Sequence, residues 1–266
     1  MRCEVLVSTM NQECKNKLIQ EMRINDCVII NQVTKSVSHL SDELRSRQKF
    51  LTFYEKGLSK SRNKALLNSS GDICILADDD MYYENNYENI ISEAYHKYSD
   101  ADLIAFVVDD DDSSRRKKIM KEGKIHYLKS MKLQSVQITF KRKSIIANKI
   151  MFDESFGTGA QYYWGEENIF LFDCLRSGLK IYYVPKRIAT LKVSDSSWNK
   201  DNTPEHFQIQ GCIYYRMTRH FYLILILQFA LRKRSIYKKD MTTIQVVKNM
   251  IIGARMLKKS NSNPIV

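Results

Sequence analysis

Three aspartates in succession, Asp78-Asp79-Asp80, follow directly on the apolar run Ile73–Ala77. Carboxylates packed this closely repel one another, and burying them is costly unless a cation compensates. A hard divalent metal with oxygen ligands is the chemistry such a cluster suits, and its common use in an α/β protein is to hold phosphate. The plain alternative is a solvated acidic loop after a strand.

Two further groups bear on that choice. Arg62 and Asn63 sit in Gly57–Ala65, where Ser59 reads as the N-cap of a helix through Asn68. An arginine in a first helical turn faces the positive end of the dipole and calls for an anion nearby. Glu166 and Glu167 open a second helix, and Tyr163, Trp164 and Gly165 precede them. Carboxylates are favoured at a helix start on dipole grounds alone, but aromatic rings beside them also make a wall for a sugar or a base.

The elements that must position these groups alternate. Short apolar runs at Cys3–Thr9, Asp26–Ile30, Lys49–Tyr54, Asp72–Ala77 and Leu103–Val108 read as strands. Helical stretches at Gln12–Arg23, Lys60–Asn68 and Glu84–Tyr98 separate them. Runs such as Val28-Ile29-Ile30 are too continuous for half-exposed strands and imply a sheet covered on both faces. An α/β Rossmann-like open sheet flanked by helices follows, with ligands at the carboxyl ends of its strands. Ser8-Thr9, Asn31-Gln32 and Asp78–Asp80 stand at such ends. Asp109–Asp112 and the basic run Arg115–Lys118 that follows read as a solvated loop with adjacent opposite charges, not as a second metal site.

Taken in order, Val7-Ser8-Thr9, Gly57–Ala65, Gly71–Asp80 and Phe152–Asn168 resemble the inverting glycosyltransferases of family 2, which have the GT-A fold. The resemblance covers residues 3–215 and is nearest to bacterial enzymes of surface-polysaccharide synthesis. It implies a nucleotide-sugar donor, a UDP-sugar first among them, and a saccharide or lipid-linked acceptor. By position, Asp80 and Asp78 would hold Mn²⁺ or Mg²⁺ on the diphosphate. Ser8, Thr9, Asn31 and Asp79 would line the nucleotide pocket, with Arg62 and Asn63 beside the phosphates. Glu167 matches the general base, and Glu166 would hold an acceptor hydroxyl beside Tyr163, Trp164 and Gly165. The chain departs from the family at Asn31-Gln32, where many relatives carry Asp. It departs again at Lys192, in the stretch where some place a metal-ligating His, so that Lys192 is a candidate phosphate contact. His206, close by, reads as an ordinary exposed histidine.

Charge divides the chain. Residues 216–266 hold eleven Lys/Arg against one acid, Asp240, and so carry +10 of the total +12. Basicity confined to one end, beside the apolar run Phe221–Leu231, speaks against a nucleic-acid binder. That run is too short for a bilayer core of about 30 Å. With the second amphipathic stretch Thr243–Leu257 it suggests a helical extension on the inner membrane surface, or a helix packed on the catalytic domain or on a partner copy in a homo-oligomer. The expected division is a GT-A domain at 1–215 and a basic membrane-associating extension at 216–266, with Lys258–Val266 as a loose tail. Six cysteines without C-x-x-C spacing and no leader at Met1-Arg2 point to a reducing cytoplasmic compartment. Two rival functions share this sheet. A nucleotidyltransferase would carry a Gly-rich basic loop where Ser8–Asn11 stands, and a non-catalytic adaptor would have no need of Asp78, Asp80 and Glu167.

Overall fold

The computed structural model describes residues 1–34, 43–44, 47–112, 119–192 and 202–262. The basic run Arg115–Lys118, Val193 and the last four residues of the expected tail lie outside the described residues. The chain divides into two compact units, 1–160 with 166–195 and 161–165 with 196–266.

The first unit is built on one sheet. Its strands are β1 (Cys3–Met10), β2 (Cys27–Gln32), β3 (Glu43–Leu44), β4 (Gln48–Phe53), β5 (Ile73–Asp78), β6 (Met81–Tyr83), β7 (Leu103–Asp110), β8 (Gly123–Ile125), β9 (Ile138–Lys141) and β10 (Ile181–Leu191). Its helices are α1 (Lys15–Met22), α2 (Leu58–Asn68), α3 (Tyr87–Lys97), α4 (Tyr127–Ser130), α5 (Arg142–Ala147) and α6 (Glu166–Arg176). The spatial order is β3-β4-β2-β1-β5-β9-β7-β10-β6, with β8 also paired to β10. β4, β2, β1 and β5 run parallel, whereas β9 is antiparallel to both β5 and β7. The sheet is therefore open and mixed, as expected.

Burial explains the continuous apolar runs. Alternate residues of β1 feed two cores. Val5 and Val7 join Leu18, Met22, Ile91 and Tyr95 on one face, while Leu6 joins Ala65, Leu66, Phe170 and Leu171 on the other. One expectation is corrected here. β7 continues through Asp109 and Asp110, which pair with Thr190 and Leu191, so the acidic run expected in a loop begins inside the strand. Between the basic run and Ser135 lie β8 and α4.

The second unit consists of the segment Gln161–Gly165 with α7 (Pro204–Met217), α8 (Tyr222–Arg232), α9 (Arg234–Tyr237) and α10 (Thr243–Ser262). α7 thus groups with the other C-terminal helices. Glycine permits this association at close range. A Cβ on Gly211 would stand 1.8 Å from the Met250 carbonyl oxygen, and one on Gly253 would stand 1.8 Å from that of Gln208. α7 and α10 therefore approach backbone to backbone. The helix reaches Ser262, so part of the expected tail is ordered helix. Among the described residues no helix is long and apolar enough to cross a membrane.

Candidate active site

Strand register assembles the first half of the site. Ser8 lies opposite Ile30 of β2 and Asp78 of β5, and Thr9 lies opposite Asn31. The sheet order reverses here, since β2 and β5 flank β1 on opposite sides. Such a switch point opens a crevice at the strand ends. Thr9 Oγ1 donates a hydrogen bond to Asp79 Oδ2, tying two of the expected nucleotide-pocket residues together.

α2 supplies the second half. Its N-cap is Gly57, at φ 135°, and Ser59 lies inside the first turn. This corrects the expectation of Ser59 as cap; its hydroxyl instead donates to the Phe156 carbonyl at 2.6 Å. Gln32 holds the cap: Gly57 N donates to its Oε1 and its Nε2 donates to the Gly57 carbonyl, both at 3.0 Å. Ser61 Oγ then donates to Ser8 Oγ at 2.8 Å, fixing α2 to β1.

Arg62 consequently falls one turn into the helix, fully buried. Its Nη1 donates to Glu166 Oε1 at 2.8 Å, and its Nη2 to Ser135 Oγ at 2.8 Å and Asp78 Oδ1 at 3.3 Å. Burial disfavours the charge on this guanidinium, but Asp78 and then Glu166 outweigh it and raise the pKa. The anion sought on sequence grounds is thus met by carboxylates of the protein itself. Glu166 is buried with Arg62 as its partner. Gly157, at φ 103°, leaves room beside it, since a Cβ there would stand 3.2 Å from Glu166 Oε2.

Other expected ligand contacts have partners within the protein. Asn31 Nδ2 donates to the Gln12 carbonyl at 3.0 Å and its Oδ1 accepts from Gln12 N at 2.9 Å, which shapes the turn after β1. Asn63 clamps Phe152 through both amide atoms, at 2.8 and 3.0 Å, where a phosphate contact was expected. Lys192 N donates to the Asp80 carbonyl at 2.7 Å, while its Nζ donates to Glu21 at 3.3 Å. Glu167 follows Glu166 in the first turn of α6 and accepts from Asn168 Nδ2 at 3.1 Å.

Asp80 differs from its neighbours. Its Oδ1 is buried without a hydrogen-bond partner. Burial first, then Asp78 and Asp79, raise its pKa, against a smaller opposing effect of Lys192. A buried acceptor of this kind costs free energy until something positive meets it. Hard oxygen donors suit Mg²⁺ or Mn²⁺. No trio of His, Cys, Asp and Glu groups could cage an ion among the described residues, so oxygens from outside the protein would have to complete its shell.

The fold has known counterparts. TarS of S. aureus, crystallised as residues 1–349 with UDP, superposes with a TM-score of 0.59 at 13% identity, over 98% of this chain and 91% of that one. The complex with UDP-GlcNAc gives 0.58 at the same identity, over 98% and 92%. A longer TarS chain gives 0.57 at 14% identity, and this chain spans 55% of it. The fold is GT-A-like. No family model matches the sequence, and neither does any curated protein. The GT-A-like sheet thus agrees with the architecture expected from the strand pattern.

Three expected acceptor residues lie in the second unit. Trp164 stacks on His206 with centroids 5.0 Å apart and planes 15° apart, and its Nε1 is buried without a hydrogen-bond partner. His206 is therefore no ordinary exposed histidine; burial lowers its pKa. Gly165 has φ 91°, and a Cβ there would meet Ile213 at 2.4 Å, so packing demands this glycine. Tyr163 is exposed. Sequence reasoning missed Ser135, Ser61 and the clamp made by Gln32. Of these, only the polar Asn31-Gln32 pair ending an apolar strand carried a local signal.

Proposed function

We propose that the chain is an inverting glycosyltransferase of family 2. It takes a sugar from a nucleotide-diphosphate donor, UDP-sugars first, and passes it to a saccharide or lipid-linked acceptor in surface-polysaccharide synthesis. One observation carries the reading above the rest. Register sets Ser8 and Thr9 beside Asp78 and Asp79 at the switch point, and Arg62 ties Asp78 to Glu166, the neighbour of Glu167. The complexes of TarS with UDP and UDP-GlcNAc support the donor class.

The chemistry uses these groups as follows. The acceptor hydroxyl oxygen bonds to the anomeric carbon as the bond from that carbon to the β-phosphate oxygen breaks. The electron pair leaves with the nucleoside diphosphate, and the hydroxyl proton passes to the Glu167 carboxylate. A single displacement inverts the anomeric centre. Mn²⁺ or Mg²⁺ held by Asp80, with Asp78, would neutralise charge on the leaving diphosphate. Arg62 acts as a positioning residue, holding Asp78 and Glu166 in fixed relation.

Release of UDP, GDP and dTDP from their sugar nucleotides, with and without Mn²⁺, tests this against Asp80→Ala and Glu167→Ala. Turnover of one donor class that both variants lose is expected. No turnover with any donor, or unchanged turnover in both variants, would overturn the assignment.

A further inference from the structure

The second unit presents an apolar face that its own packing leaves uncovered. In α8, Leu225, Ile226 and Ala230 are buried, whereas Leu223, Ile224, Leu227 and Leu231 are exposed, as is Phe221 at the N-cap. At about 100° per residue the four exposed helical side chains share an arc of about 100°, and the buried three occupy a separate arc of about 140°. Ile224 is 62% and Leu227 54% exposed. Two-faced apolarity of this kind is unnecessary for packing alone, which uses only one face.

Charge surrounds the face. Between His206 and Lys239 the sequence contains no Asp or Glu, and Arg219, Arg232, Lys233, Arg234, Lys238 and Lys239 bracket α8 on both sides. Arg219, Arg232, Lys233 and Arg234 are all exposed. α10 adds exposed Ile244 and Met256 together with Lys248 and Arg255.

We infer that α8 docks on an anionic lipid surface, with Leu223, Ile224, Leu227 and Leu231 entering the acyl boundary and the flanking Arg/Lys meeting headgroup phosphates. Charge complementarity selects this occupant. A second copy of the chain would bring the same excess of cations, with only Glu205 and Asp240 as exposed acids among the described residues of this unit, and repel, whereas anionic headgroups neutralise it. The exposed arc and the short length of the helix suit a segment lying in the interface rather than crossing it. The inference stands on the second unit alone and does not depend on the chemistry proposed for the first.

Co-sedimentation of the full chain with phosphatidylcholine vesicles, alone or mixed with phosphatidylglycerol, reads the effect directly. Partition should favour the mixed vesicles and weaken between about 0.1 M and 1 M salt, as the Debye length falls from about 10 Å to about 3 Å. Ile224→Asp with Leu227→Asp should lower partition by at least about tenfold. Arg232→Glu with Lys233→Glu and Arg234→Glu should abolish the preference for the anionic lipid while leaving circular dichroism unchanged. Equal binding to both vesicle types, no binding to either, or undiminished binding by the aspartate variant sinks the proposal. So does a solution dimer that the aspartate variant splits without any vesicle binding.

Discussion

Arg62 Nη1 and Glu166 Oε1 lie 2.8 Å apart although 104 positions separate them in sequence, and both side chains are buried. The pair joins the helix that follows β4 to the helix that carries Glu167. Removing one member leaves the other charged and unsolvated, which is far costlier than losing the pair as a whole. Arg62→Ala should therefore lower the unfolding free energy by about 3–5 kcal/mol, read by urea denaturation. Adding Glu166→Gln should restore part of the loss. Simple additivity of the two changes would show that the ion pair is not coupled.

Glu167 calls for a different signature, because its proposed work is confined to the transition state. Glu167→Gln keeps shape and polarity but cannot accept the proton. It should lower kcat by about 10²- to 10⁴-fold with the KM for donor nearly unchanged. A raised donor KM at constant kcat would make Glu167 a binding residue instead.

Asp80 carries the cation prediction through its unpartnered Oδ1. A ligand that binds only the folded state stabilises it by mass action, by about 2.7 kcal/mol at a hundred times its Kd. Mn²⁺ should therefore raise the Tm of the wild-type protein. Asp80→Asn, which removes the charge and keeps the volume, should abolish most of that rise. An equal rise in the variant would place the cation elsewhere.

Much of this architecture was legible because burial writes itself into composition. Val5-Leu6-Val7 and Ile73–Ala77 have no polar face, so they had to be covered on both sides; the acidic end of β5 then had to sit at a strand terminus. Arg62 was legible as a charge needing an anion, but its partners were not. Glu166 and Ser135 reach it across 104 and 73 positions, and no local pattern encodes such distances. The start of α2 was misread because Ser59 has the chemistry of an N-cap. The actual cap, Gly57, is set by the amide of Gln32, 25 positions upstream. Register errors of this kind are small in sequence, yet here one turned a first-turn arginine into a buried one.

Gly211 and Gly253 bear on the helical unit alone. Each accommodates a carbonyl oxygen of the facing helix where a methyl group would stand 1.8 Å away. Gly211→Ala must push α7 and α10 apart, against whatever helix propensity alanine gains. A loss of about 1–3 kcal/mol or more is expected from such overpacking, seen as a lower thermal midpoint. Unchanged stability would mean that the two helices separate freely.

His206 gives the helical unit a pH dependence whose sign can be worked out. Burial against Trp164 lowers its pKa in the folded state, below the ordinary value of about 6.5. Over the interval between the two values the unfolded chain binds the proton and the folded chain does not, so stability rises with pH there. The contribution is fully present above about pH 6.5 and is lost as pH falls toward the folded value. One group adds at most about 1.4 kcal/mol per pH unit to the slope. His206→Phe preserves a ring against Trp164 and removes the titration. Thermal midpoints of the two proteins should run parallel above neutrality and diverge below it, with the wild type falling faster. Parallel curves throughout would mean that the imidazole accepts its proton without leaving the stack.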